Sequence, residues 1–334
     1  MTEGPRRVIL DTDPGIGPGM DADDVLALMF CLGSPELELQ GVTTVFGNVE
    51  VGRATGNALR ALEAIGRQDV PVAQGMSVPL SGTLNRRSAE EYEQHQSSLG
   101  PIDAERIEAG RIDRHASDFI AETVAGSPGE VSLLAVGPLT NVAMAILKRP
   151  ALKTEIRDIT IMGGAFAREP VYGRGNITPV AEYNIWGDPL AAKVVFDAGI
   201  PMTAVGLDVT NPAKGTVLYE DQMLELVADK TPFTEFLHEV IRTYIDAPKF
   251  DWAEKGCVLY DPVAAATLVD PALVTTERAR VAVETQGAET SGQTIAHPSE
   301  EGNVGVCVDV DGDAFVQLFT ERLRNLVSAD TERR

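Results

Sequence analysis

Short β-rich runs alternate with helical patterns along most of the chain, and this alternation constrains the fold more than any other feature. Strands are predicted at Arg7–Asp11, Leu39–Val45, Val131–Val136, Ile156–Met162, Met202–Gly206 and Arg280–Glu284. Helices are predicted at Asp23–Leu32, Val51–Ile65, His115–Val124, Leu139–Leu147, Pro189–Ala198, Pro232–Tyr244, Pro262–Val269 and Ala314–Leu326. The pattern predicts an α/β fold with an open, mainly parallel (mixed) β-sheet and helices on both faces.

The length of the chain, 334 residues with 44 % hydrophobic side chains, is sufficient for one large core. Two irregular regions, Ser77–Gly110 and Arg168–Ala181, interrupt the alternation, and long loops inside an α/β domain are often functional. The sequence shows no clear linker between domains and no internal repeat. We therefore expect residues 1–334 to form a single domain.

Polar residues and glycines follow several predicted strands at the point where each strand ends. Asp11 and Asp13 end the first strand, Asn48 follows the second, a Gly-Pro-Leu-Thr-Asn run follows Val136, and Asp208 comes soon after Met202–Gly206. Ligands of open α/β sheets bind beyond the carboxyl ends of the strands. The sequence therefore predicts a polar binding site along this edge of the sheet.

Five aspartates lie in the segment from Val8 to Phe30, which reads VILDTDPGIGPGMDADDVLALMF. They are Asp11, Asp13, Asp21, Asp23 and Asp24. One interpretation is turn formation and helix capping, with Asp21 or Asp23 at the start of the next helix. Carboxylates a few ångströms apart repel each other unless a cation lies between them, so a cluster of this size favours a ligand site.

Two kinds of site could explain the aspartate cluster, a phosphoaspartyl phosphatase site and a calcium site. The pair Asp11 and Asp13 after an apolar strand fits a phosphoaspartyl phosphatase, but Gly15 stands where that class usually has Thr or Val. Calcium fits better, because it prefers many oxygen ligands and the segment offers carboxylates without Cys or clustered His. The spacing excludes an EF-hand, and the similar string VDVDGDAF, Val308–Phe315, is predicted to be a strand–turn–helix junction.

The formal net charge of −22 argues against nucleic acid and anionic membranes as partners. Three cysteines, Cys31, Cys257 and Cys307, are far apart and predict neither a disulfide framework nor a zinc site. The N-terminal stretch has no apolar run typical of a signal peptide, and no stretch approaches the roughly 18 apolar residues of a membrane helix. We expect a cytoplasmic protein that does not bind membranes.

The strings DTDPGI and DDVLAL resemble the signature of the nucleoside hydrolase family, of the inosine–uridine-preferring type. Similar segments follow in order from Val8 to Leu326: TTVFGNVEVGRATGNAL, AVGPLTNVAMAI, IMGGAF, GNITPVAEYNIWGDPLAA and YDPVAAA. The family signature reads D-x-D-P-G-x-D-D-A, whereas this chain has six extra residues, Gly17–Ala22, between Ile16 and Asp23. The resemblance implies a Rossmann-like nucleoside hydrolase fold.

The resemblance also implies an activity, namely hydrolysis of the N-glycosidic bond of ribonucleosides to a free base and ribose. Family members use a tightly held Ca²⁺ that binds the attacking water and two ribose hydroxyls. By position, the ion would be held by Asp13, Asp24, Asp261 and the backbone carbonyl of Val136, with Asp13 also as general base. Asp11 matches a position that supports these ligands from behind.

Further positions match residues that bind the sugar in the family. They are Asp23, Asn48, Met162, Asn176, Glu182 and Asn184. Taken singly, the three asparagines could equally form turns, and Asp261 before Pro262 could cap a helix. Asp188 before Pro189 is predicted to be a helix cap.

Departures from the family pattern concern the leaving group. Tyr260 stands where a His that protonates the base is common, and a phenol is a much weaker acid. His95, in the polar loop, is a second candidate acid, although Gln96 replaces a family Gly and an exposed surface His is the alternative. Phe250, Trp252 and Tyr244 could stack on the base or simply pack.

These departures leave a second function open, a non-catalytic ribose- or nucleoside-binding protein on the same fold. The complete set of Asp13, Asp24 and Asp261 favours the hydrolase. Base preference stays open, because base contacts come from variable loops. The resemblance also implies a homodimer or homotetramer.

Overall fold

The computed structural model describes residues 4–17, 22–84, 102–228, 230–245 and 256–332. Nine strands form one sheet in the order β10-β9-β11-β6-β5-β4-β1-β2-β3, and β7 pairs with β8 separately. The strands are β1 Arg6–Thr12, β2 Leu37–Thr44, β3 Val72–Gln74, β4 Val131–Ala135, β5 Asp158–Met162, β6 Met202–Val205, β7 Val217–Tyr219, β8 Gly256–Val258, β9 Val274–Val283, β10 Thr294–Pro298 and β11 Val304–Val310.

The sheet is parallel from β3 to β11, and β9 runs antiparallel to both β11 and β10. The helices are α1 Asp23–Gly33, α2 Val51–Ala64, α3 Ala104–Gly110, α4 Ala116–Gly126, α5 Thr140–Lys148, α6 Leu152–Glu155, α7 Tyr183–Gly187, α8 Pro189–Phe196, α9 Glu220–Leu226, α10 Pro232–Ile245, α11 Tyr260–Val269 and α12 Gly312–Glu332. No helix in the described part of the chain is both long and apolar enough to span a membrane.

Side chains of β1 alternate between two hydrophobic cores, one on each face of the sheet. Val8 and Leu10 pack with α1, α2 and α9 to α12, whereas Ile9 packs with α4, α5, α6 and α8. Because β1 is covered on both faces, it reads as a continuous apolar run rather than an alternating one. The predicted mixed, mainly parallel sheet with helices on both faces is therefore confirmed. The single domain over residues 1–334 stays a prediction.

The predicted strands and helices are all present, with small differences at their ends. The largest differences are at the start of β9, which is Val274 rather than Arg280, and at the end of α12, which is Glu332 rather than Leu326. The exposed first half of β9 carries Thr and charged residues that hide the strand pattern. Helix α11 begins at Tyr260, so Asp261 lies in its first turn and is not its N-cap, the alternative that the sequence had left open. The irregular region Ser77–Gly110 contains a short helix, α3.

The short strands β3, β7, β8 and β10 were not predicted, since so few residues give a weak periodic signal. The first part of β11, which lies between β9 and β6, was not predicted either. The VDVDGDAF segment is a strand–turn–helix junction as expected, with β11 followed by α12.

The order of strands reverses at β1. From β1 the chain moves to β2 and β3 on one side, and then returns to build β4, β5 and β6 on the other. Neighbouring connections diverge at such a point and leave a crevice above the carboxyl ends of β1 and β4. Asp13 and Val136 follow these two strand ends directly.

Candidate active site

The carboxyl end of β1 and the start of α1 are joined by hydrogen bonds between buried groups. The Asp13 N–H donates to Asp24 Oδ1 at 3.0 Å, and the Thr12 hydroxyl donates to the same oxygen. Asp24 Oδ2 accepts from Asn48 Nδ2 at 2.9 Å. Asp24 is thus fixed by the strand on one side and by the loop after β2 on the other.

The carboxylate of Asp13 is completely buried and held asymmetrically. Its Oδ2 accepts from the Asn48 N–H at 2.5 Å, whereas its Oδ1 has no hydrogen-bond partner among the residues that the structure describes. A Cβ on Gly47 would lie 1.8 Å from Oδ2, and a Cβ on Gly137 would lie 2.5 Å from Oδ1. The backbone therefore approaches the Asp13 carboxylate closely from two sides, and only glycine leaves room for it at both positions. An unpartnered buried carboxylate oxygen needs a ligand or a proton.

Three carboxylates converge beside Asp13. One oxygen from each of Asp23, Asp24 and Asp261 lies within 4.8 Å of the others. Asp23 and Asp24 are the first two residues of α1, and Asp261 lies in the first turn of α11. The N-cap of α1 is Ala22, without a side-chain cap hydrogen bond, so the capping role considered for Asp23 was wrong.

The two helix starts are also linked directly. The Asp261 N–H donates to Asp23 Oδ2 at 3.2 Å, although the residues are 238 positions apart. Both carboxylates lie near helix N-termini, where the helix dipole partly offsets negative charge. This local effect is too small to compensate for several buried carboxylates together.

Burial and mutual repulsion raise the pKa of these carboxyl groups. Burial, followed by the charge of Asp24, raises the pKa of Asp13 well above its ordinary value. Burial raises the pKa of Asp24 to about 6, against hydrogen bonds that lower it. Burial raises the pKa of Asp261 well above its ordinary value, and Asp23, Asp24, Asp13 and Glu182 raise it further. The cluster is therefore stable at neutral pH only with protons or a cation bound.

Asp11 lies below this cluster and is held by a second network. Its Oδ1 accepts from Thr43 Oγ1 at 2.5 Å and from Asn141 Nδ2 at 2.8 Å. Asn141 also donates to the Thr44 carbonyl at 3.0 Å and accepts from the Met76 N–H at 2.9 Å. Burial raises the pKa of Asp11 to about 7. Asn141 had not been predicted as a functional residue, although it ends the GPLTN run that follows Val136.

The segment from Asn176 to Asn184 borders the other side of the crevice. Asn184 Nδ2 donates to the Val136 carbonyl at 2.9 Å and to the Met162 carbonyl at 3.1 Å. Asn176 Oδ1 accepts from the Tyr183 N–H at 2.9 Å. The structure thus connects Asn184 with Met162 at the end of β5 and Val136 after β4.

Glu182 is buried and serves as the N-cap of α7. Both of its carboxylate oxygens accept hydrogen bonds from backbone N–H groups. Oε1 accepts from the Asn184 N–H at 2.8 Å, and Oε2 accepts from the Gly164 N–H at 3.0 Å and the Ile185 N–H at 3.1 Å. Burial raises the pKa of Glu182, although these bonds lower it. Asp188 caps α8 as predicted, with Oδ1 accepting from the Ala191 N–H at 3.0 Å.

Asp208, after β6, organises the loop that leads to Asn176. Its carboxylate accepts from the N–H groups of Phe166 at 2.8 Å, Arg168 at 2.5 Å and Glu169 at 3.1 Å. Between the first two donors Ala167 has a φ of 56°, a left-handed conformation that costs energy for a residue with a Cβ. The three bonds offset that strain. The sequence had indicated Asp208 only as one of several polar residues after strand ends.

Several residues were predicted to contact or protonate the leaving base. Tyr260 is half-buried and directly precedes Asp261 in α11. Tyr244 donates its hydroxyl to the Val258 carbonyl at 2.7 Å. His95, Gln96, Phe250, Trp252 and the 18–21 part of the six-residue insertion lie outside the described residues. The roles of Tyr260 and His95 stay predictions.

A sequence profile of the family described as "Inosine-uridine preferring nucleoside hydrolase" matches residues 8–317 of the chain. The chain belongs to this nucleoside hydrolase family. The matched range includes β1 from Val8 onward, every other strand and all helices up to part of α12. The predicted family is therefore confirmed, and with it the prediction of an N-glycosyl hydrolase.

The names of proteins similar to this nucleoside hydrolase state different base preferences. It is 39 % identical to uridine nucleosidase 1 of Arabidopsis thaliana, over 84 % of this chain and 79 % of the relative. It is 36 % identical to the pyrimidine-specific ribonucleoside hydrolase RihA of Citrobacter koseri, over 95 % and 97 % of the two chains. Among solved structures, the purine-preferring ribonucleoside hydrolase from Gardnerella vaginalis matches with a TM-score of 0.82 and 32 % identity, over 97 % and 100 % of the two chains.

Proposed function

We propose that this nucleoside hydrolase cleaves the N-glycosidic bond of ribonucleosides in a calcium-dependent reaction with Asp13 as general base. The observation that carries the proposal is the buried acidic cluster at the carboxyl edge of the sheet. Asp23, Asp24 and Asp261 bring oxygens within 4.8 Å of each other, and Asp13 lies beside Asp24. Such a cluster at neutral pH calls for a cation.

The donors fit calcium in their chemistry. All are oxygens, from carboxylates and from the Val136 carbonyl, and buried Cys or clustered His residues are absent from the described part of the cluster. In the proposal Asp13, Asp24, Asp261 and Val136 hold the ion, and Asp23 is close enough to share that role. Bound calcium would supply a positive charge that makes a nearby water more acidic and attracts sugar hydroxyls.

Asp13 is suited to accept the proton from the attacking water. Its Oδ2 is committed to the Asn48 N–H, so Oδ1 is the oxygen that takes the proton. Burial and the charge of Asp24 raise the pKa of Asp13, which makes it a stronger base than an exposed carboxylate. The end of β1 is held two residues earlier, where the Asp11 carboxylate accepts hydrogen bonds from Thr43 and Asn141, and this keeps Asp13 in place.

The remaining polar groups suit a ribose. In the proposal Asp23, Asn48, Met162, Asn176, Glu182 and Asn184 line the sugar. Positive charge develops on the ribose ring as the glycosidic bond breaks, and the surrounding carboxylates stabilise that charge. The base leaves on the side of Tyr260, and His95 is the second candidate for its protonation.

The test is a panel of inosine, uridine, cytidine, adenosine and guanosine assayed for released ribose. We expect turnover that a calcium-specific chelator abolishes and that added calcium restores. The panel also decides the base preference, since the names of the relatives include uridine, pyrimidine and purine specificities. Ribonucleoside binding without ribose release would instead support the non-catalytic binder.

The variant Asp13→Asn tests the general base. It keeps the shape of the side chain, and turnover should fall by about 10²–10⁴-fold, the usual scale for loss of an acid–base group. Calcium content must be measured alongside, because a weaker ion site would lower turnover by another route. Near-normal turnover in this variant would show that Asp13 is not the base.

The proposal extends to the setting of the enzyme. We propose a cytoplasmic homodimer or homotetramer that uses neither nucleic acid nor membranes as partners. The net charge of −22 supports the exclusion of polyanions. Sedimentation analysis of the purified protein measures the oligomeric state, and a monomer at micromolar concentration would contradict that part.

A further inference from the structure

The peptide group that joins Gly47 to Asn48 is bound at both of its polar ends. Its N–H donates to Asp13 Oδ2 at 2.5 Å, and its carbonyl accepts from the Tyr183 hydroxyl at 2.9 Å. A peptide group is planar, so fixing the direction of the carbonyl also fixes the direction of the N–H. The Tyr183 hydroxyl therefore sets the direction of the hydrogen bond that reaches Asp13.

Tyr183 is itself held in place. It is the first residue of α7, its N–H donates to Asn176 Oδ1 at 2.9 Å, and its ring lies 6.2 Å from that of Trp186. The bond to Gly47 spans 136 residues of sequence. It therefore joins the segment proposed to bind the sugar to the loop that follows β2.

The same loop also controls a second carboxylate. Asn48 Nδ2 donates to Asp24 Oδ2 at 2.9 Å, so a rotation of the Gly47–Asn48 peptide would disturb both Asp13 and Asp24. Hydrogen bonds in series also polarise one another, and a donor on the carbonyl strengthens the N–H as a donor. Gly47 has no side chain that could fix the orientation of this peptide group in place of the Tyr183 hydroxyl.

We propose that Tyr183 is a positioning residue of this enzyme, whose hydroxyl orients Asp13 through the Gly47–Asn48 peptide group. The inference rests on the proposed function, in which Asp13 accepts the proton of the attacking water. Tyr183 acts through the peptide group and not on the reacting atoms. The group that would feel its loss is therefore the general base, and the step that would slow is the chemical one.

The test is Tyr183→Phe, which removes the hydroxyl and keeps the ring. Its matched control is Ser34→Ala, because Ser34 Oγ also donates to a backbone carbonyl, that of Phe30 at 2.7 Å, at the far end of α1. With the best nucleoside of the panel and saturating calcium, Tyr183→Phe should lower kcat about threefold to tenfold, the scale of one hydrogen bond. Its KM should stay within about twofold of the wild-type value, and Ser34→Ala should leave both constants unchanged.

A second measurement does not depend on activity. Amide hydrogen exchange of the peptide that contains residues 46–49 should be faster in Tyr183→Phe, because the Gly47–Asn48 peptide group can then rotate. The exchange of this peptide should be unchanged in Ser34→Ala. This pattern, together with the fall in kcat, would support the inference.

Three results would overturn it. They are a kcat and an exchange rate that match the wild type, a rise in KM without a fall in kcat, and an equal loss of kcat in Ser34→Ala. The Asp13→Asn variant separates the inference from the proposed function. If Asp13→Asn is inactive and Tyr183→Phe is normal, only the role of Tyr183 is wrong; if Asp13→Asn is fully active, the proposed function is wrong.

Discussion

Gly47→Ala should inactivate the enzyme by displacing one carboxylate. The new Cβ would lie 1.8 Å from Asp13 Oδ2, 2.6 Å from its Cγ and 2.9 Å from Pro138 Cδ. Non-bonded carbon and oxygen atoms in proteins stay about 3 Å apart or more, so the carboxylate must move by roughly 1 Å. The wall formed by Gly137 on the opposite side limits where it can go.

The expected effect on activity is larger than the effect on stability. A displacement of about 1 Å in a reacting group can cost about 10²-fold in rate, so with Asp13 as the proposed general base we expect kcat to fall at least that far. Overpacking of a buried site typically costs about 1–3 kcal/mol of unfolding free energy, so the variant should still fold. The assays are ribose release from the best nucleoside and thermal unfolding with saturating calcium.

Gly56→Ala is the matched control. Gly56 lies inside α2, and a Cβ there would have its nearest neighbour, Ile107 Cγ1, at 3.7 Å, an ordinary contact. The change should leave kcat unchanged and stabilise the helix by about 0.5–1 kcal/mol, since Ala is a better helix former than Gly. The steric reasoning is refuted if Gly47→Ala keeps kcat within about threefold of the wild type, or if both variants lose activity equally.

Three further predictions concern pH, the leaving group and the substrate. Burial raises the pKa of Asp11 from 3.8 to about 7, so the folded protein favours the protonated carboxyl group. In the calcium-free protein, the stabilisation that comes from this protonated group is fully present below about pH 4 and is lost as the pH rises through about 7. In chelator, the melting temperature of Asp11→Asn relative to the wild type should therefore increase from about pH 4 to about pH 8; a constant difference would contradict the raised pKa. Tyr260→Phe should lower kcat on inosine or uridine by about tenfold or more, roughly 1.4 kcal/mol, and spare p-nitrophenyl riboside, whose leaving group needs no proton. Equal, weak effects on both substrates would mean that Tyr260 only packs. Uridine should be cleaved clearly faster than uridine 5′-monophosphate, because Glu182 and the net charge of −22 repel a phosphate; equal kcat/KM values for the two would refute this.

The fold class was predictable from local signals. Apolar runs such as Val8–Leu10 and the helical pattern of Val51–Ala64 depend on near neighbours in the chain, so periodicity reveals them. The cap at Asp188 was predictable for the same reason, because the capping residue and Pro189 are adjacent. Where a pattern is diluted by exposed polar residues, as in the first half of β9, the sequence misplaced the boundary.

The candidate site was predictable in part. Asp11 and Asp13 at a strand end, together with the family resemblance, indicate the acidic edge of the sheet from the sequence alone. The sequence did not indicate that Asn141 binds Asp11 or that Asp208 binds the N–H groups beside Ala167. Asparagine and aspartate occur in most turns, so their partners cannot be inferred from residue type.

The sequence by itself thus determined most of the longer strands and helices and which carboxylates lie at the end of β1. Only the tertiary structure decided that Asp23 and Asp261 meet across 238 positions, and that Asp13 keeps one oxygen on the Asn48 N–H and the other without a partner in the described chain. The physical reason is that secondary structure arises from neighbouring residues. The approach of two helix starts depends on how α1 and α11 pack together on the same face of the sheet.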